Sequence, residues 1–139
     1  MEQVLLKVLN RMDKDRRNKG RILQRIVVQF PEHPVLRWSE LFNVSDNGMF
    51  LKGQLPVSIG ENVQFMFFLK DLNAWIQGTA TVRWFHRKVA NSRFPEGVGF
   101  EFTDLLKESR FVLKQYLQVT QAMRFIEKLE NHHQRTTQQ

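Results

Sequence analysis

The chain has 139 residues, of which 42% are hydrophobic and twelve are phenylalanine, enough apolar material for one folded domain with one core. It has no cysteine, which excludes disulfides and thiolate chemistry and suits a reducing, cytoplasmic compartment, and no apolar run approaches the 18 or more residues of a membrane span. Twenty-one basic against fourteen acidic side chains, a net charge of +7, favour an anionic partner such as a nucleotide, nucleic acid or an acidic protein surface.

From the start of the chain, Val4, Leu5, Val8, Leu9 and Met12 recur at three- and four-residue spacing, so residues 1–15 are expected to hold a short amphipathic helix. The start lacks the basic-then-apolar order of a secretory signal. Next comes a basic arm, Arg16-Arg17-Asn18-Lys19-Gly20-Arg21, with little apolar content of its own. Arginine presents a planar fork of donors that matches phosphate oxygens and the N7/O6 edge of guanine, and its flat face stacks on bases. Two arginines four residues apart are therefore able to grip one nucleotide-sized anion together.

The next stretch predicts strands. Ile22, Ile26, Val28 and Phe30 share one parity, the period-two pattern of a half-buried strand, ended by Pro31 and Pro34. Residues 35–44 alternate Leu36, Trp38 and Phe42 with polar positions. Asp46-Asn47-Gly48 supplies turn chemistry before Met49-Phe50-Leu51, which reads as a hairpin. A loop over 53–60 leads to a strand over 61–70 with Val63, Phe65, Phe67 and Leu69 on one face, and Asp71-Leu72-Asn73 turns the chain. Residues 75–88 show the longest alternation, with Ile76, Gly78, Ala80, Val82 and Trp84 on one parity. Small residues in the middle of that face predict strong curvature or the close approach of another backbone. Residues 91–95 form a loop, and Gly97-Val98-Gly99-Phe100-Glu101-Phe102 makes the last strand. Short antiparallel strands with turn signals between them point to a closed or nearly closed β-barrel.

Thr103 or Asp104 is the expected cap of a C-terminal helix over 105–131, roughly 40 Å long at 1.5 Å per residue. Val112, Tyr116, Val119, Met123 and Ile126 follow a 4-3-4-3 spacing, with Leu113, Leu117, Phe125 and Leu129 as a flanking stripe. That is more apolar surface than one barrel face requires. Two readings stay open, a homodimer through this helix and a helix folded wholly onto its own barrel or against residues 2–13. The polar residues 132–139 are expected to be a disordered tail.

Candidate chemistry is confined to binding. His33, His86, His132 and His133 have no carboxylate or second histidine at a metal-ligand spacing in the ordered part, and read as surface residues. There is no nucleophile motif and no glycine-rich phosphate loop before a helix, so neither an enzyme, a metal nor a cofactor is expected. At Asn43-Val44-Ser45-Asp46-Asn47-Gly48, the short Asn43 and Ser45 side chains suit the polar edge of a base, and Gly48 permits a backbone with φ > 0. A plain hairpin turn is the competing reading of these residues.

Arg17 and Arg21 spaced as RxxxR, Asn43, Ser45 and Gly48 spaced as NxSxxG, and the closing Gly97-Val98-Gly99-Phe100-Glu101-Phe102 followed by a helix together resemble PilZ domains, small bacterial barrels that bind cyclic di-GMP. The resemblance covers residues 16–105. It implies a mainly β fold, a six-stranded antiparallel barrel over 16–104 with a long C-terminal helix. It also implies an arm that orders around the ligand, Arg17 and Arg21 holding phosphates and guanine faces while Asn43 and Ser45 read a guanine edge. Arg16, just before RxxxR, accompanies binding of an intercalated nucleotide dimer in similar proteins. Trp84 stands where some members place an aromatic that stacks on the ligand, although its alternating strand equally places it in the core. Met49 departs from the pattern at a position where many members carry a second glycine, as does Gly20 where a proline is frequent. Arg21 and Arg25 make a second RxxxR, but that register would put Arg25 inside the first strand, so Arg17 and Arg21 are preferred.

The function this resemblance implies is binding of cyclic di-GMP and relay to an unidentified effector protein, acting on motility, flagella or pili, exopolysaccharide or virulence. Two further readings remain: an adaptor of the same architecture working through its helices, which retention of both nucleotide motifs disfavours, and a single-stranded nucleic-acid binder, which predicts length-dependent and steeply salt-dependent binding.

Overall fold

In a computed structural model of the chain the described residues are 25–137, with side chains described through residue 132. The expected N-terminal helix, the arm with Arg16, Arg17 and Arg21, and the beginning of the first expected strand lie outside them. Residues 24–113 form one compact unit, and the C-terminal helix from residue 114 onward belongs to a second.

Six antiparallel strands close a barrel in the order β1-β2-β3-β6-β5-β4. They are β1 (Val27–Gln29), β2 (Trp38–Val44), β3 (Gly48–Lys52), β4 (Asn62–Leu69), β5 (Ala74–His86) and β6 (Gly97–Leu105). The three-residue β1 pairs with both β2 and β4 and so completes the ring. The core is the inward parity of these strands: Val28, Leu51, Phe67, Ile76, Val82 and Val98 are all fully buried. Alternation produces this directly, since a period-two apolar pattern gives each strand one face to bury, and closure turns all six faces onto one interior. Phe65 continues the packing by stacking near-parallel to Phe102 at 5.2 Å.

The connections are held by specific bonds. A 3-10 turn, Lys70–Leu72, ends on Asn73 in the left-handed region (φ 49°), whose N–H donates to the Lys70 carbonyl. His33, expected at the surface, has its side chain almost wholly buried. Its Nδ1 accepts from the backbone N–H groups of Val35 (3.1 Å) and Leu36 (2.8 Å), while Nε2 faces Glu61 Oε1 at 3.1 Å. Two donors at Nδ1 place the proton on Nε2, so the ring ties the turn after β1 to the loop before β4.

Several local expectations differ from the structure. Thr103 and Asp104 do not cap the helix. They extend β6, where Asp104 lies opposite Thr79, and the helix starts at Lys107 with the Leu106 carbonyl accepting from Arg110 N–H. The helix runs to Thr137, so the segment expected as a disordered tail from 132 is helical as far as that residue. Of Leu36, Trp38 and Phe42 only Leu36 is buried; Trp38 is 63% exposed and Phe42 also faces outward. The reason is that Leu36 belongs to the connection before β2, so its parity does not carry into the strand, and Ser39 takes the inward position with its hydroxyl donating to the Lys52 carbonyl. Arg25 precedes β1 rather than entering it, lying exposed 3.9 Å from a Glu40 oxygen, which removes the ground on which the Arg21–Arg25 register was set aside.

Along the helix, Leu113, Val119 and Met123 are buried, whereas Phe125 and Leu129 stay 63% and 53% exposed. Among the described residues no helix is long and apolar enough to cross a membrane.

Candidate functional site

The site begins at the turn between β2 and β3. Ser45 organises it: its N–H donates to the Gly48 carbonyl at 2.8 Å, and its hydroxyl oxygen accepts from Asn47 N–H at 3.3 Å. A short hydroxyl two residues before an N–H closes the turn in place of a backbone carbonyl. The Asn47 carbonyl in turn accepts from Phe102 N–H at 2.7 Å, which fastens the turn to β6. The hairpin reading and the motif reading thus describe one object.

Gly48 is needed for a reason other than the expected positive φ. Among the described residues only Gly53 and Gly60 are glycines with φ in that region. Gly48 lies in β3 opposite Glu101, and a Cβ there would meet the Phe100 carbonyl oxygen within a distance no side chain tolerates. The glycine permits the close approach of two backbones.

Two bulges turn the key side chains outward. In β2, Leu41 pairs with Leu51 and Asn43 with Phe50, which leaves Phe42 as the extra residue and gives Asn43 the outward parity. In β5, Val82 pairs with Phe100 and Trp84 with Gly99, so Arg83 is the extra residue and Trp84 leaves the parity of Ile76 and Val82. A single inserted residue flips every side chain after it. Trp84 is therefore 45% exposed and packs on the outside of the barrel, its ring stacked on Phe50 at 5.0 Å and 24°. The core placement that the alternation equally allowed is overturned.

The rings lie flat across β6, and this accounts for the glycines of Gly97-Val98-Gly99. A Cβ on Gly99 would enter the Trp84 indole, and one on Gly97 would enter the Phe50 ring. Phe94, from the connection before β6, caps Phe50 at 4.8 Å and meets His86 edge-on at 4.8 Å, while Phe42 meets Phe94 at 5.2 Å. His86 is consequently not a plain surface residue: its Nδ1 is buried among these rings with no hydrogen-bond partner among the described residues.

Asn43, Ser45, Gly48 and Trp84 line one depression of about 320 Å³, together with Asn47, Phe50, Arg83 and Glu101. Arg83 Nε donates to Glu101 Oε2 at 2.7 Å on the same wall. Spacing brought Asn43, Ser45 and Gly48 into view, whereas Arg83 and Glu101 carry no motif. The signal that could have found them is the break of alternation at Arg83-Trp84, where two large residues adjoin a position that should be inward. A second depression, of about 420 Å³, lies between β1 and β2 around Phe30, Pro31, Arg37 and Trp38, and holds none of the motif residues. Among the described residues no group of His, Asp or Glu side chains is placed to hold a metal ion. The expected ligands Arg16, Arg17 and Arg21 lie outside the described residues.

The depression offers an aromatic face for stacking, two short polar side chains at its lip and one charged pair on its wall. It has groups for holding a flat heterocycle. No curated protein matches the chain. The family model described as PilZ domain matches residues 15–118, a span that takes in the whole barrel and the first turns of the helix. With a closed six-stranded barrel, the Asn43–Gly48 turn beside Trp84 and this match over most of its length, the chain belongs to the PilZ domain family, a family of cyclic di-GMP-binding and adaptor domains.

Proposed function

We propose that this chain is a non-catalytic receptor for cyclic di-GMP that passes the signal to an effector protein by changing the surface it shows. The observation that carries the reading is that Asn43, Ser45 and Gly48 converge with Trp84 on one depression. A half-exposed indole lying on a rigid ring is a stacking platform for a guanine, and Asn43 and Ser45 supply donors and acceptors for its edge. In this reading Arg17 and Arg21 hold phosphates and guanine faces from the arm, and Arg16 joins them when two intercalated nucleotides bind. The arm orders on binding, so ligand free energy is converted into a new surface. The net charge of +7 raises the local concentration of an anionic ligand. We place this activity in the cytoplasm, with motility, flagellar or pilus function, exopolysaccharide or virulence as the outputs that relatives control.

Calorimetric titration with cyclic di-GMP at physiological salt tests the reading, with GTP as control ligand. Saturable binding that is lost in Arg17→Ala and Arg21→Ala supports it. Unchanged affinity in both variants overturns the clamp, and no binding by the unaltered chain overturns the receptor.

The exposed Phe125 and Leu129 on the distal helix favour a second element of the proposal, contact with another protein through that face, a second copy of this chain included. Sedimentation equilibrium of the unaltered chain against Phe125→Asp reads this out: a dimer that becomes monomeric supports self-association, and a monomer in both cases assigns the face to a different partner.

A further inference from the structure

A carboxylate in the wall of a depression for a doubly negative ligand is electrostatically out of place. Glu101 is that carboxylate, lining the depression with Asn43, Ser45 and Trp84. Like charges at close range oppose binding. Arg83 holds one carboxylate oxygen at 2.7 Å, yet both side chains are about half exposed, at 53% and 52%. An ion pair so open to water contributes little to the fold. The pair has a better account in recognition.

We infer that Glu101, oriented by Arg83, is a base-reading subsite that selects guanine over adenine. The inference rests on the cyclic di-GMP reading above and names which edge of the ligand is read, and by what. Guanine presents N1–H and the N2 amino group side by side, two donors whose spacing matches the two oxygens of a carboxylate. Adenine presents at the same place the N1 lone pair, which a carboxylate repels. An indole face accepts any base, so Trp84 by itself does not discriminate. Selectivity has to come from an edge contact.

The register puts the two devices within one base of each other. Trp84 lies opposite Gly99, and Glu101 lies opposite both Gly48 and Thr81, so Gly99 and Glu101 are successive outward positions of β6. Outward neighbours on one strand stand about 7 Å apart, twice the rise per residue. A purine stacked on the indole over Gly99 therefore has an edge within reach of the Glu101 carboxylate. The bulge at Arg83 serves both ends of this arrangement. It turns Trp84 outward, and it leaves the guanidinium beside Glu101 to fix the carboxylate and offset its charge against the ligand phosphates.

The test is isothermal titration of the unaltered chain, Glu101→Gln and Arg83→Met with three ligands: cyclic di-GMP, cyclic di-AMP, and cyclic di-IMP, whose hypoxanthine lacks the N2 amino group. Because a bidentate base contact discriminates by roughly 5- to 150-fold, the preference for cyclic di-GMP over cyclic di-AMP is expected to narrow about tenfold or more in Glu101→Gln. The penalty for replacing guanine with hypoxanthine is expected to shrink in the same variant, the coupling of a double-mutant cycle. Arg83→Met keeps the carboxylate, so it lowers affinity for all three ligands while preserving the order of preference. A Glu101→Gln protein with the preference and the hypoxanthine penalty of the unaltered chain overturns this inference and leaves the receptor reading standing. An unaltered chain that binds no cyclic dinucleotide overturns both. Circular dichroism melts of the variants separate loss of recognition from loss of fold.

Discussion

The two halves of β5 were written in the same alphabet and ended in different places. From Ile76 to Val82 the strand alternates and delivers its apolar side chains to the barrel interior; beyond the bulge at Arg83, Trp84 lies on the outer surface against Phe50. β2 repeats the contrast on a smaller scale, with Leu41 opposite the core residue Leu51 and Asn43 turned outward past the extra Phe42. Regular alternation builds the container. The breaks in it build the site, because a bulge is the cheapest way to bring a residue from the inward series onto the outside of a closed barrel, where a ligand has access.

The largest way to break this contrast is Ile76→Ala, before the bulge, at a fully buried position. It should cost about 2–5 kcal/mol in urea unfolding, while affinity measured on the folded fraction stays within about twofold. Gly99→Ala sharpens the comparison from the other side. Its Cβ enters the indole of Trp84. The ring must leave Phe50, lowering stability by about 1–2 kcal/mol and affinity by about tenfold, and the loss should be smaller when Trp84 is already alanine. The smallest effect on stability is expected for Trp84→Ala itself, about 1 kcal/mol or less, since the ring is half exposed. Its affinity loss should nevertheless be about tenfold, the ordinary contribution of a base stacked on an aromatic side chain. Fluorescence titration and thermal melts of the same preparations check both numbers.

What the sequence disclosed follows the same division. The parity of Val63, Phe65, Phe67 and Leu69, and of Ile76 and Val82, was enough to foresee half-buried strands, and the turn residues Asp46, Asn47 and Gly48 marked the hairpin. The RxxxR and NxSxxG spacings pointed to the family that the match over residues 15–118 shows. Trp84 could not be placed, because period-two reasoning carries parity forward without knowing where a residue is inserted, and Phe42 was given the parity of Leu36, which lies before β2 begins. The role of Gly48 was misjudged for a related reason: a glycine in a turn motif suggests a backbone angle, whereas the constraint here is the Phe100 carbonyl, which comes from a strand about fifty residues later. Arg83 and Glu101 were invisible as a pair, since only the pairing of β5 with β6 sets them side by side.

That pairing has a consequence in time. β3 meets β2 through a short turn, but it meets β6 only after the chain has looped from Gly48–Lys52 out to Gly97–Glu101. Closing so long a loop is entropically slow compared with forming a local hairpin. Asn43, Ser45 and Gly48 can be in their turn early, yet the wall carrying Glu101 and the glycine track beneath Trp84 arrive with the last long-range seam. Binding competence is therefore acquired late in folding. A ligand that recognises only the closed seam stabilises it by mass action, so in the proposed receptor nucleotide concentration would act against unfolding, holding shut the one junction of the barrel that the chain has to travel furthest to make.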